Sequence, residues 1–118
     1  MTDANKVVKL LAEASKRGIV TPSIRTLERY GLDEFEWLQL LADQGWQCPI
    51  CLQTRGKWNT DHDHVPKWKA MLPELRKKYV RGILCWYCNH RRVNSRMSSD
   101  EAQRIADYFR AYEQRRDA

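Results

Sequence analysis

Two Cys-x-x-Cys pairs, Cys48-Pro49-Ile50-Cys51 and Cys85-Trp86-Tyr87-Cys88, stand with 33 residues between them. A two-residue spacer lets both sulfurs of a pair reach one ion at about 2.3 Å, and four thiolates close a tetrahedral zinc site. The interval exceeds what a simple zinc ribbon needs. The residues between the pairs therefore read as a structured insert whose two ends one metal clamps together. Disulfides are the competing use of four cysteines, but no apolar signal stretch follows Met1, and repeated Cys-x-x-Cys pairs in an intracellular chain favour metal.

A chain of 118 residues is one domain, or a small core with a helical appendage, and at that size a metal staple matters. It has no run of apolar residues long enough to span a bilayer, which excludes a membrane-embedded protein; the expected location is cytoplasmic. The formal net charge is +6, and the basic residues concentrate at Lys67, Lys69, Arg76, Lys77, Lys78, Arg81, Arg91, Arg92 and Arg96, around the metal motif. Such a positive field concentrates and steers nucleic acid, so the expected partner is DNA or RNA.

The pattern predicts a mostly α fold. Val7, Val8, Leu10, Leu11 and Ala14 mark a first amphipathic helix over residues 4–17, stopped by Gly18. Thr21-Pro22 reads as N-cap and first helical position of a short second helix with Ile24 and Leu27 buried and Gly31 as its stop. Asp33 and Glu36 form a capping-box start to a third helix, whose stripe of Phe35, Leu38, Leu41 and Ala42 ends at Gly45. Two short strands are expected at residues 57–60 and 79–85, joined by a long basic loop between Pro66 and Pro73 and beyond it. A helix starts near Asn89. The last one follows Ser98, capped reciprocally by Glu101, with Ile105, Tyr108, Phe109 and Tyr112 at helical spacing; that stripe packs onto the first helix or forms a dimer seam. Three segments result: helical residues 1–45, a zinc-bound core at 46–97, and the final helix at 98–118.

The insert carries Asp61-His62-Asp63-His64, and Asn89 directly follows the last cysteine. Phosphodiester hydrolysis needs a base to take a proton from water, and charge to stabilise the phosphorane and the leaving oxygen. A carboxylate in this run can bind a hard cation such as Mg²⁺, a neighbouring imidazole with ordinary pKa of about 6.5 can act as base, and Asn89 offers an amide oxygen as second ligand. The same run could instead be a surface turn, or add ligands to the zinc, although four thiolates already close that site.

Three stretches resemble one family: Tyr30-Gly31-Leu32-Asp33 through Leu41 and on to Gln44-Gly45-Trp46-Gln47-Cys48-Pro49-Ile50-Cys51; Asp61-His62-Asp63-His64; and Val80-Arg81-Gly82-Ile83-Leu84-Cys85-Trp86-Tyr87-Cys88-Asn89. Over about residues 28–92 they are similar to the phage recombination endonuclease VII proteins, a branch of the HNH or ββα-metal nucleases. The resemblance implies a zinc-bound ββα-metal core with a small β-hairpin. In it Asp61 and Asn89 hold Mg²⁺ or Mn²⁺, His62 activates water and His64 supports the site. It also implies a branched or distorted DNA substrate such as a four-way junction. Asp63-His64-Val65-Pro66 matches the Asp-His-x-x-Pro of ordinary HNH enzymes, so the catalytic register has two candidates, of which Asp61-His62 is taken. The chain departs from the family pattern in a longer, more basic stretch from Val65 to Tyr79 and in His90-Arg91-Arg92 after the asparagine. About 26 residues follow Arg92, enough for one helix, so a homodimer is an open expectation.

Arg81, Arg91 and Arg92 are candidate phosphate clamps, and Lys67, Lys69, Lys77 and Lys78 candidate point charges on the backbone. Trp58, Trp68 and Trp86 are candidates to stack on unpaired bases, Trp68 foremost because it sits in a polar loop. The alternatives are an HNH nickase with little structural preference and a zinc module that binds nucleic acid without cutting it. A redox role for the cysteine pairs is weaker, since zinc-bound thiolates are not free.

Overall fold

The computed structural model describes residues 4–90 and 98–118. In chain order the elements are α1 (Ala4–Lys16), α2 (Ile24–Arg29), α3 (Glu34–Asp43), β1 (Trp58–His62), α4 (Pro73–Arg76), β2 (Val80–Cys85), α5 (Trp86–His90) and α6 (Ser99–Arg116), with single 3-10 turns at Trp68–Ala70 and Lys77–Tyr79. The fold is mostly helical, around one antiparallel pair of strands.

The N-terminal helices start and stop close to where their caps put them. Gly18, Gly31 and Gly45 all take positive φ after their helices. At α3 the capping box is complete: Asp33 accepts from the Glu36 amide at 2.7 Å and Glu36 accepts from the Asp33 amide at 3.1 Å. α2 starts two residues later than Thr21-Pro22 predicts, because the Ser23 hydroxyl accepts from the Thr26 amide and is the cap in fact. That shift turns Ile24 outward, 74% exposed, while Leu27 is buried. α1 packs on α3 along a narrower face than its pattern suggests, burying Ala14 and leaving Val8 and Leu11 exposed.

One core joins these helices to the hairpin. Trp37, Leu38 and Leu41 of α3 lie with Val80 and Ile83 of β2, and Trp37 donates its indole N–H to the Thr60 hydroxyl at 3.0 Å. The free edge of β2 is closed by a side chain: Gln44 donates to the Ile83 carbonyl at 2.7 Å and accepts from the Ile83 amide at 2.8 Å, as a third strand would. A second cluster gathers the cysteines with Ile50, Leu84 and Tyr108, with Ile105 and Phe109 at its margin. α6 therefore packs, but on the hairpin and the cysteine cluster rather than on α1. Its start is where expected, with Ser98 accepting from the Glu101 amide at 3.1 Å, but the cap is not the reciprocal box: Glu101 Oε1 accepts from the Ser98 hydroxyl at 3.5 Å.

Two glycines are required by close approach. A Cβ on Gly31 would meet the Pro73 carbonyl oxygen at 2.0 Å, so only glycine lets α4 dock there. A Cβ on Gly82 would meet Gln44 Oε1 at 2.8 Å and the Tyr108 ring at 2.9 Å. Gly82 pairs with Asp61, and the empty space over it is the path by which Tyr108 reaches that carboxylate.

Candidate active site and metal centre

One sulfur from each of Cys48, Cys51, Cys85 and Cys88 lies within 4.8 Å of the others, and Cys51 and Cys85 Sγ are 3.6 Å apart. Tetrahedral thiolates at about 2.3 Å from zinc have edges of about 3.8 Å, so the cage fits the ion. The first knuckle is a tight loop in which Leu52 donates to the Cys48 carbonyl and Cys48 to the Gln53 carbonyl, Leu52 taking φ 65°. In the second, the Cys88 amide points at Cys85 Sγ at 3.4 Å. Burial pushes the Cys51 thiol up to about 11 and raises Cys88 further. Cys48 lies below its ordinary value: burial opposes ionisation there, but hydrogen bonds from the backbone of Cys85, Cys51 and Ile50 outweigh it. Four adjacent thiolates thus need a cation to coexist, which is what zinc supplies.

β1 and β2 run antiparallel from Trp58↔Cys85 to Asp61↔Gly82, then shift register so that His62 pairs with Val80. The irregularity leaves Arg81 as the extra residue, and such bulges re-aim side chains beside functional sites. Here the Arg81 guanidinium grips Asp61 with two bonds, Nε to Oδ2 at 2.9 Å and Nη2 to Oδ1 at 3.1 Å. Tyr108 donates its hydroxyl to the same Oδ2 at 2.8 Å. Burial, then the Asp61 charge, raises the Tyr108 pKa well above its ordinary value, so the phenol stays a donor. Asp61 is 2% exposed and Arg81 stacks on the Phe109 ring, 4.6 Å from its centroid.

The next residue faces a different environment. The His62 ring stacks on Trp68 at 4.1 Å, leans on His64 at 4.6 Å and meets Tyr30 at 5.6 Å. Burial, followed by the neighbouring His64, lowers its pKa, so His62 is a neutral imidazole at pH 7, ready to accept a proton. It opens onto a cleft of about 810 Å³ lined by Arg29, His62, His64, Val65, Lys67, Trp68, Lys69 and Arg76. Arg76 frames this cleft, donating to the carbonyls of Trp68 at 3.2 Å, Lys69 at 2.9 Å and Arg29 at 2.9 Å. Three main-chain bonds from one guanidinium pin the basic insert to the end of α2, and with it the indole against His62. Lys67 holds the left-handed conformation, φ 64°, at the cleft's edge.

Asp63 faces α6, accepting from Tyr112 at 3.0 Å and from Arg116 at 3.5 Å. Asn89 is half-buried within α5, next to Cys88.

Of the candidate contacts, Lys67, Lys69 and Trp68 surround His62. Lys77 and Lys78 do not: Lys77 pairs with Glu36 and both line a groove with Phe35 and Leu40 on the α3 side. Arg81 is turned inward, its side chain 10% exposed. Arg91, Arg92 and Arg96 lie outside the described residues. Arg29 and Arg76 frame the cleft with no motif to announce them; their only signal is proximity to Tyr30 and to the basic stretch.

The donor chemistry of Asp61 and Asn89, a carboxylate and an amide oxygen, suits a hard divalent cation. The placement of Asp61 does not, since its oxygens already accept from Arg81 and Tyr108 and face away from solvent. A cation at Asp61 requires one of these partners to let go.

Among the described residues no helix is long and apolar enough to cross a membrane. The chain is 32% identical over 90 residues to the gene 59 protein of Mycobacterium phage D29, an alignment covering 73% of this chain and 48% of that protein. It is 35% identical over 68 residues to the gene 59 protein of Mycobacterium phage L5, covering 55% of this chain and 35% of that protein. It thus spans half or less of the length of these curated relatives. No solved structure matches. The model of the recombination endonuclease VII family matches residues 23–111, most of the chain, including the cysteine cage, the hairpin and the His62 cleft, and the chain belongs to that family.

Proposed function

We propose that the chain is a metal-dependent DNA endonuclease that hydrolyses phosphodiester bonds in branched or distorted DNA, with His62 as general base. The observation that carries this reading is the His62 imidazole at the mouth of a cleft lined by four cationic side chains. Family membership supports a nuclease acting on DNA.

In this reading Lys67, Lys69 and Arg29 hold a phosphate of the backbone over His62, neutralising charge that builds on its oxygens. His62 takes the proton of the attacking water, and Trp68, stacked flat on the ring, limits its rotation so that one nitrogen faces the phosphate. Asp61, once Arg81 or Tyr108 releases it, and Asn89 are the residues proposed to hold Mg²⁺ or Mn²⁺, which when bound would polarise the phosphate and stabilise the leaving oxygen. Zinc at the four cysteines is structural: it fixes the start of α5 and both ends of the insert. Paired nicks across a junction need paired sites, so this substrate goes with a homodimer.

A labelled four-way junction beside its linear duplex, with Mg²⁺, Mn²⁺ or EDTA, tests the reading. Cation-dependent cuts near the branch by the wild type, absent in His62→Ala with zinc content unchanged, are expected. The inward placement of Asp61 favours a second reading, a zinc module that binds DNA without cutting it, and binding without cleavage under every cation would establish that instead.

A further inference from the structure

The opposite end of β1 carries a second basic cleft. It has a volume of about 780 Å³ and lies between the end of α1 and the start of the hairpin, where Lys16, Arg17, Arg55 and Lys57 line it with Trp58 and Asn59. Among the described residues no carboxylate lines it. Arg17 is partly engaged, paired with Glu13 at 2.8 Å and stacked over Trp46. Lys16, Arg55 and Lys57 are exposed and make no ion pair among the described residues. Asn59 Oδ1 is buried without a hydrogen-bond partner among those residues, so hydrogen-bonding capacity is left over beside the cleft.

Arg55 and Lys57 also line a smaller cleft on the other side of their loop, about 410 Å³, with Trp86 and Tyr87 of the zinc knuckle. Those two rings are 47% and 45% exposed, and Trp86 is backed by His90 at 4.5 Å. Large aromatic rings held at the surface beside cations suit a nucleic acid, whose bases stack on them and whose phosphates meet the charges. The family match begins at residue 23, so Lys16 and Arg17 come from a segment it does not cover.

We infer that this end of the hairpin is a second DNA-binding site, in which Lys16, Arg55 and Lys57 hold backbone phosphates and Trp86 takes an unpaired base. The inference rests on the proposed DNA substrate and specifies how a branched one is engaged. Trp58 and His62 are four residues apart on β1, about 13 Å at a rise of ~3.3 Å per residue. DNA advances ~3.4 Å per nucleotide along its axis, so the second site holds the backbone about four nucleotides from the phosphate at His62. Two separated grips, one beside exposed rings, are satisfied together by DNA that changes from paired to unpaired between them.

The test measures equilibrium binding of the full chain to a forked DNA, at several salt concentrations, alongside the cleavage assay. The variant Lys16→Ala/Arg55→Ala/Lys57→Ala is compared with Lys6→Ala/Arg25→Ala/Arg110→Ala, which removes equal charge from residues that line neither cleft. Losing three phosphate contacts lowers the slope of log affinity against log salt by about 2 to 3, and the control changes it by less than about 1. Shortening one arm below about four nucleotides weakens the wild type and leaves the cleft variant unaffected. Melting temperature and zinc content confirm that both variants fold. Equal slopes for cleft variant and wild type, in a protein that cleaves, overturn the second site and leave the nuclease. A lowered slope in a protein that binds and never cleaves overturns the nuclease and leaves the second site. Absence of DNA binding by the wild type overturns both.

Discussion

Arg81→Met separates a buried structural arginine from a DNA contact. Its side chain is 10% exposed, that of Asp61 is 2% exposed, and two bonds join them. Removing the guanidinium and keeping its aliphatic bulk leaves a buried carboxylate without that countercharge, with Tyr108 still donating to it. Breaking such a pair by one partner costs about 3–5 kcal/mol. For 118 residues the unfolding entropy near the melting temperature is about 0.25 kcal/mol per kelvin, so the melting temperature falls by about 12–20 °C. The measurement is thermal unfolding of zinc-loaded protein followed by circular dichroism. Adding Asp61→Asn removes the charge that Arg81 had faced, and the double variant recovers most of the loss, which a thermodynamic cycle reads as a coupling of at least about 2 kcal/mol. A fall below about 4 °C, or a double variant no more stable than Arg81→Met, would show that solvent reaches the pair and refute the reasoning. The salt slope of DNA binding stays at the wild-type value if Arg81 touches no phosphate.

Gly82→Ala forces a Cβ against Gln44 and Tyr108 and destabilises the fold by about 1–3 kcal/mol in urea unfolding, whereas an alanine at Gly18, with nothing within 4 Å, meets only the strain of its positive φ. Cleavage should rise with pH through a midpoint below 6.5 and level off above it, because burial and His64 lower the His62 pKa and its neutral form is the base; a midpoint above 6.5 in a pH–rate profile contradicts that placement. Elemental analysis should find one zinc per chain, and a strong chelator should release it while unfolding the hairpin, since the four cysteines tie both of its ends; retention of native circular dichroism without zinc counts against the staple.

Several elements are legible in the sequence because their determinants are local. The capping box of α3, the Ser98 cap of α6 and the glycine stops involve partners three or four residues apart. The cysteine cage is legible because spacing within each pair is a geometric constraint on one ion. The start of α2 differs from its expected place by two residues for an equally local reason, since Ser23 and Thr21 are both good caps and only the Thr26 amide chooses between them. Trp37, fully buried, is absent from the expected stripe of α3 because its burial depends on the hairpin packed over it.

The sequence by itself determined an insert bracketed by two Cys-x-x-Cys pairs spaced to share one metal ion, an Asp/His run within it, an excess of positive charge around it and a mostly helical frame. What it could not decide is which way each charged side chain faces. Arg81 and Lys67 look alike as basic residues near a motif, yet a bulge in β2 turns the first onto Asp61 while a left-handed turn puts the second at the mouth of the His62 cleft. Arg29 and Arg76 meet at the cleft across 47 residues of chain, and Lys16 meets Lys57 across a comparable span. Such juxtapositions are set by how helices and hairpin pack into one core, and the field of a site is the sum over residues that only packing brings together.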